Sequence, residues 1–300
     1  MSKPQPSARP SSGSPMAVAL LVFVLMAIIS AAVVWHLEQR NTAAQRLRLS
    51  GLAADHAHDI QMTMERALSA TYSIAAMVRQ GKGNVPDFEG VAAEMLPWYP
   101  GVSILGLSPD GIIQRVAPLA GNEKSIGLNQ LTDPKQGREA RLARDSGKLT
   151  LAGPLTLVQG GLGAVGRLPI FIDNAQNKPV FWGLTYAVIR FPEALGGARL
   201  NQLAESDIAY LLWRTNPDTG ARDVIASSDT VPVSPVERSL VVPNGKWTLS
   251  VAPIRGWGDP TGLAINVFLG LFFSLTLAYA AKLLTQLKAH EQGREVLIQQ

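Results

Sequence analysis

Residues Leu149 to Phe171 read L-T-L-A-G-P-L-T-L-V-Q-G-G-L-G-A-V-G-R-L-P-I-F, and the way this stretch folds decides the architecture of the chain. Alternating apolar residues from Leu155 to Val158, glycines at Gly160, Gly161, Gly163 and Gly166, and a second apolar run to Phe171 predict strand, tight loop, strand. The same letters hold Gly161-Leu-Gly163-Ala-Val-Gly166, which fits the dinucleotide fingerprint. That fingerprint needs a helix after the glycines, so that amide N–H groups and the helix dipole can hold a pyrophosphate. Pro169 stands in a β-rich run just beyond Gly166, where a helix cannot build. The glycines are therefore read as positive-φ positions of a hairpin loop.

Working outward, two apolar blocks flank the rest. Met16 to Trp35 and Leu263 to Ala281 each run for about 20 residues without a charge, enough to cross the hydrocarbon layer as a helix. The first is too long for a signal-peptide core and ends in Trp35, an interface residue, which favours an uncleaved anchor. Lys3 and Arg9 before the first span, with Lys282 and Lys288 after the second, place both ends in the cytoplasm and the long middle segment in the periplasm. The expected order is a cytoplasmic tail at 1–15, spans at 16–35 and 262–281, and a cytoplasmic signalling helix at 282–300.

After the first span, 36–84 reads as a stalk helix in which Ile60, Met64, Leu68, Thr71, Ala75 and Val78 form one apolar face. Its position at the membrane suggests pairing with a second copy in a homodimer. Two hairpin-rich units follow, at 85–195 and 196–258. The first has the turn Ser108-Pro-Asp-Gly111, a helix opened by Thr132 or Asp133 and closed by Gly147, the glycine hairpin, and a strand from Phe181 to Ile189. The second has Pro217-Asp-Thr-Gly220 and Asn244-Gly245 as turn signals. In the second span, Gly270, Ser274 and Ala278 recur every four residues, a small-residue stripe suited to close helix contact.

The chain lacks cysteine, which excludes thiol chemistry and zinc ribbons, and its net charge of +4 includes no basic stripe interleaved with aromatics, which argues against nucleic acid. His56 and His58 stand two apart, whereas helical metal pairs use spacings of three or four, so both read as solvated and no metal or other cofactor is expected. Catalysis is not expected within these residues either. The outer segment has no Gly-x-Ser-x-Gly elbow, and His290-Glu291 lacks the rest of a phospho-accepting box.

Trp98-Tyr99-Pro100-Gly101, Ser108-Pro109-Asp110-Gly111, Pro118-Leu-Ala-Gly-Asn122-Glu123, Ile126-Gly127-Leu128, Ala143-Arg-Asp-Ser-Gly147, Gly153-Pro154 and Phe181-Trp182-Gly183, with the glycine hairpin, resemble the CHASE domain. This is the extracytoplasmic sensor module of bacterial receptors and plant cytokinin receptors. The resemblance implies an α+β fold, in which two transmembrane helices flank a long stalk helix carrying tandem PAS-like antiparallel-sheet lobes. It also implies a receptor input module of the inner membrane, with the ligand pocket in the membrane-distal lobe and an output such as a diguanylate cyclase, a phosphodiesterase or a histidine kinase. The positions matching the family's pocket region are Asn129, Leu151, Thr156, Gln159, Gly160, Arg167, Trp182 and Gly183. Asn129 falls where cytokinin receptors carry an acidic anchor, which argues against cytokinin. Arg167, a charge between apolar strand ends, needs a partner such as a ligand carboxylate or phosphate, or a nearby Asp or Glu. The competing expectation is a structural membrane protein that binds a protein partner. It predicts a filled distal lobe and an exposed apolar patch.

Overall fold

The computed structural model describes residues 14–158 and 160–298. The expected tail at 1–15 lies almost wholly outside these residues, as do Lys3, Arg9, Gln159 and Gln300. The chain divides into two compact units, one formed by the residues up to Arg46 together with those from Trp257, the other by Leu47–Gly256.

In chain order the elements are α1 (Pro15–Gln80), α2 (Phe88–Met95), β1 (Val102–Pro109), β2 (Arg115–Ala117), α3 (Gly137–Ser146), β3 (Thr150–Thr156), β4 (Leu162–Asp173) and β5 (Pro179–Phe191). There follow α4 (Asn201–Glu205), β6 (Ile208–Thr215), β7 (Arg222–Ser227), β8 (Val236–Val242), β9 (Gly245–Pro253) and α5 (Pro260–Ile298). First span and stalk are thus one unbroken helix, as expected for a stretch whose only glycine, Gly51, sits with open space around it.

In the larger unit two antiparallel sheets share α1 as their common core element, with strand orders β2-β1-β5-β4-β3 and β7-β6-β9-β8. The apolar face read from the sequence is buried here: Ile60, Met64, Leu68, Thr71, Ala75 and Val78 are each at most 2% exposed. They pack with Leu105, Leu168, Ile170 and Ile189 of the first sheet and Leu212, Trp247 and Leu249 of the second. The chain's own sheets thus cover this face, which leaves other surfaces of α1 for the expected pairing with a second copy. The reading of His56 is corrected. It is buried, not solvated, and its Nδ1 lies 2.7 Å from the carbonyl of Ala198, tying α1 to the connection between the sheets, whereas His58 is exposed.

The glycine stretch is the expected hairpin. β3 and β4 pair antiparallel from Thr150↔Arg167 to Thr156↔Leu162, and β4 runs through Pro169 to Asp173 with no helix after Gly166. Two reasons for glycine separate along it. Gly160 and Gly161 do have φ of +83° and +81° in the loop. Gly163 and Gly166 are strand residues that need closeness instead: a Cβ on Gly166 would sit 2.1 Å from Leu68 Cδ2, so α1 lies directly on the sheet.

The smaller unit holds the two helices that are long and apolar enough to cross a membrane. They approach closely at the small-residue stripe. A Cβ on Gly270 would be 3.0 Å from Ser30 Cβ, and Ser274 and Ala278 are buried although most of their apolar neighbours are exposed.

Candidate functional site

Strand alternation gives the first sheet two faces. On β4, Ala164, Leu168 and Ile170 join the core against α1, while Val165 turns the other way. On β5, Ala187 and Ile189 face α1, and Tyr186 and Val188 face opposite. The side away from α1 carries a small apolar cluster of Ile104, Ile113, Val116, Leu157, Val165, Tyr186 and Val188. Over it lies a cavity of about 60 Å³, lined by most of these residues together with Leu128, Asn129, Gln130, Asp133, Gln136, Thr156 and Arg167. One water needs roughly 10–15 Å³ by this measure, so the space suits a small organic molecule.

The segment after β2 builds the cavity's far wall. Ile112 bridges Asn129, Ile113 N–H donates to Leu128 O at 2.9 Å, and Gln130 N–H donates to Gly111 O at 2.8 Å. Asn129 Oδ1 accepts from Leu131 N–H at 2.9 Å, so this side chain shapes the loop. Asp133 Oδ1 accepts from the backbone N–H groups of Lys135 (2.8 Å) and Gln136 (3.0 Å). Asp133 thus caps a turn ahead of the helix, and α3 starts at Gly137, a few residues later than the opening at Thr132 or Asp133 read from the sequence. The turn brings Gln136 over the sheet.

Arg167 is the chemical centre. It is 1% exposed, its Nε donates to Gln130 Oε1, one Nη to Gln136 Oε1, and the other to Val165 O at 3.5 Å. Gln130 Nε2 in turn donates to Ser108 Oγ at 2.6 Å, so the amide is held from both ends. All three acceptors on the guanidinium are neutral, and among the described residues no carboxylate forms an ion pair with it. Burial pushes its pKa down to about 10, against an opposing pull from Glu139 and Asp133 at longer range, so the group is still charged at neutral pH.

Tyr186 stands directly across from Arg167 in the β4–β5 register. Its ring lies over Gly106, its partner on β1: a Cβ there would come within 2.4 Å of Tyr186 Oη, so only glycine leaves room. The phenol is buried, and among the described residues its oxygen has no hydrogen-bond partner. Burial raises its pKa, with Arg167 pulling the other way, so it is a neutral O–H donor.

Of the residues expected at the pocket, the cavity brings together Asn129, Thr156 and Arg167. Gln159 lies outside the described residues. The others do not line this cavity. Leu151 is in the core against α1, and its N–H donates to Asn244 Oδ1 in the second sheet at 2.7 Å. Gly160 closes the loop, its N–H donating to Leu157 O at 2.9 Å. Trp182 packs beside Gly83, where a Cβ would be 2.6 Å from its indole nitrogen, and Gly183 lets β5 press on β1, where a Cβ would be 2.2 Å from Ser108 O. The sequence reading missed Tyr186, Gln130, Asp133 and Gln136 as site residues. Tyr186 had a signal, since the alternation of β5 puts it with Val188 and the hairpin register puts it beside Arg167; the glutamines had none.

Residues 91–222 match the family model of the CHASE domain. No curated protein matches the sequence. Among solved structures, an extracellular ligand binding receptor from Desulfohalobium retbaense DSM5692 is similar, with a TM-score of 0.53 at 12% identity, covering 67% of this chain and 39% of that one. The chain therefore spans well under half of that receptor, and at this identity the likeness concerns the fold alone. The ligand binding domain of the Pseudomonas aeruginosa PAO1 amino acid chemoreceptor PctC, in complex with GABA, gives a TM-score of 0.46 at 15% identity, covering 69% of this chain and 98% of that one. The periplasmic domain of Vibrio cholerae LuxQ gives 0.37 at 14% identity, covering 67% and 98%. The fold is α+β with PAS-like lobes, as expected, and the two long apolar helices fit a membrane protein. Residues 91–222 of this chain are therefore similar to the CHASE domain, and the likeness supports an extracellular sensor module.

Proposed function

We propose that the chain is the input half of a transmembrane receptor, which binds a small extracytoplasmic molecule in the cavity of the first sheet and passes the signal to a cytoplasmic output. The observation that carries this reading is the presence, on the wall of one apolar cavity, of a buried guanidinium and a buried phenol that have, among the described residues, no ion pair and no hydrogen-bond partner respectively. A filled lobe, as a purely structural protein would have, offers no reason for either. In this reading the lobe at 85–195 is membrane-distal, the lobe at 196–258 membrane-proximal, and the two apolar helices span the inner membrane with both ends in the cytoplasm. The output is a diguanylate cyclase, a phosphodiesterase or a histidine kinase. A homodimer is part of the reading, through surfaces other than the buried face of α1.

Arg167 faces the cavity, and its chain neighbour Gly166 faces Leu68 of α1, the helix that continues into the first span. Ligand binding biases the output to the extent that two placements of α1 against β4 bind the ligand with different affinity. The test is a thermal-shift screen of the full chain in lipid nanodiscs against a metabolite library, beside the variant Leu128→Trp. Leu128 lines the cavity and is 39% exposed, so a larger ring there blocks entry without overpacking the core. Ligands that stabilise the wild type and not the variant are expected; a library without any such hit overturns the reading.

A further inference from the structure

We infer that the molecule bound in this cavity presents a carboxylate to Arg167 and Tyr186 and a short aliphatic body to the remaining walls. This rests on the preceding reading that the cavity takes a ligand, and adds its chemical class.

The charge argument comes first. A guanidinium has five N–H donors, and Arg167 places three of them on the neutral oxygens of Gln130, Gln136 and Val165. Two remain. A full positive charge that is 1% exposed and has only neutral partners is costly until an anion arrives. Tyr186, its cross-strand neighbour, supplies a further unpaired O–H donor on the same wall. Two donor groups lining one cavity, one of them a planar fork, suit the oxygens of a carboxylate.

Phosphate fits less well. It carries nearly two negative charges, and Arg167 is the one cation in the lining, which also holds the carboxylate of Asp133. In the loop next to the cavity two amides are already taken, Leu157 N–H donating to Gly161 O at 3.0 Å and Gly160 N–H to Leu157 O at 2.9 Å. The other walls, including Ile104, Ile113, Leu157, Val165 and Val188, are aliphatic and buried, and about 60 Å³ admits only a short chain.

The experiment titrates the full chain in nanodiscs with acetate, propionate and butyrate, and in parallel with propionamide, propylamine, inorganic phosphate and alanine, reading tryptophan fluorescence and the melting temperature. The aliphatic acids are expected to bind and stabilise, with propionamide at least about tenfold weaker because it lacks the charge. Tyr186→Phe should weaken propionate about tenfold while the protein still folds, and Arg167→Gln should abolish the response. The melting curve of each variant separates lost binding from lost fold, and Tyr186→Phe keeps the test decisive if Arg167→Gln does not fold. Alanine against propionate tells whether Asp133 adds a contact to an ammonium; binding of either through Arg167 supports the inference. Propionamide equal to propionate, or a response to phosphate or propylamine alone, overturns it. If acids fail while another compound stabilises the wild type and not Leu128→Trp, the chemical class is wrong and the pocket stands. If no compound distinguishes the wild type from Leu128→Trp, both fall.

Discussion

Arg167 on β4 and Tyr186 on β5 are direct register partners whose side chains lie on the same face of the first sheet; among the described residues the guanidinium is bonded to neutral acceptors alone and the phenol oxygen to none. A buried hydroxyl without a partner has lost its water and gained no bond, which costs about 1–3 kcal/mol. Tyr186→Phe is therefore expected to leave the ligand-free protein as stable as the wild type or more so, whereas deleting a satisfied buried hydroxyl would lose about 1 kcal/mol. Chemical denaturation of the two proteins decides it; a clear loss of stability would mean that the phenol has a partner.

Gln130 is expected to behave oppositely. Its amide oxygen accepts from Arg167 Nε and its amide nitrogen donates to Ser108 Oγ at 2.6 Å, with all three side chains buried. Gln130→Leu keeps the volume and strips both bonds, one of them charge-assisted, so a loss of about 2–3 kcal/mol is expected in urea unfolding. A neutral result would show that Arg167 finds another acceptor.

Two glycines from the sequence motif separate structural from binding roles. Gly183→Ala puts a Cβ 2.2 Å from the Ser108 carbonyl at a φ of +155°, so the strands must part, and the protein is expected to lose more than about 2 kcal/mol. Gly160→Ala meets nothing within 4 Å and carries only the left-handed backbone cost of about 1–2 kcal/mol. Differential scanning calorimetry of both variants should rank them in that order.

Acid sensitivity has an identifiable contributor in Glu89. Its carboxylate pairs with the Arg115 guanidinium, and that hydrogen bond holds its pKa below the usual value of 4.5. A carboxyl whose pKa is lower folded than unfolded adds stability above the unfolded value and loses it as the pH falls through the folded one. Glu89→Gln should therefore melt lower than the wild type at neutral pH, with the gap closing below about pH 4. The carboxylate is half-exposed, so the gap is small. Melting temperatures at pH 7 and pH 3 test this; a gap that stays constant removes the ion pair as its cause.

How much of the protein was legible beforehand depended on the range of the interaction. The two apolar helices, the stalk face of Ile60, Met64, Leu68, Thr71, Ala75 and Val78, and the hairpin of β3 and β4 were all readable, because each follows from local periodicity and turn chemistry. Arg167 was readable as a charge in need of a partner. Its partners were not, since Gln130 and Gln136 are ordinary polar letters until the loop after β2 folds over the sheet. Of the positions that the resemblance to the family pointed to, Asn129 and Thr156 line the cavity, whereas Leu151, Gly160, Trp182 and Gly183 lie in packing and turn positions.

Sequence alone thus determined the order of spans, stalk and paired strands, because hydrophobic period and glycine placement act within a few residues. The tertiary structure decided which face α1 covers and where the cavity opens. It also decided that Arg167 and Tyr186 meet there with donors to spare. These depend on strand register and on a loop crossing a sheet, contacts between residues far apart in the chain that no local pattern encodes.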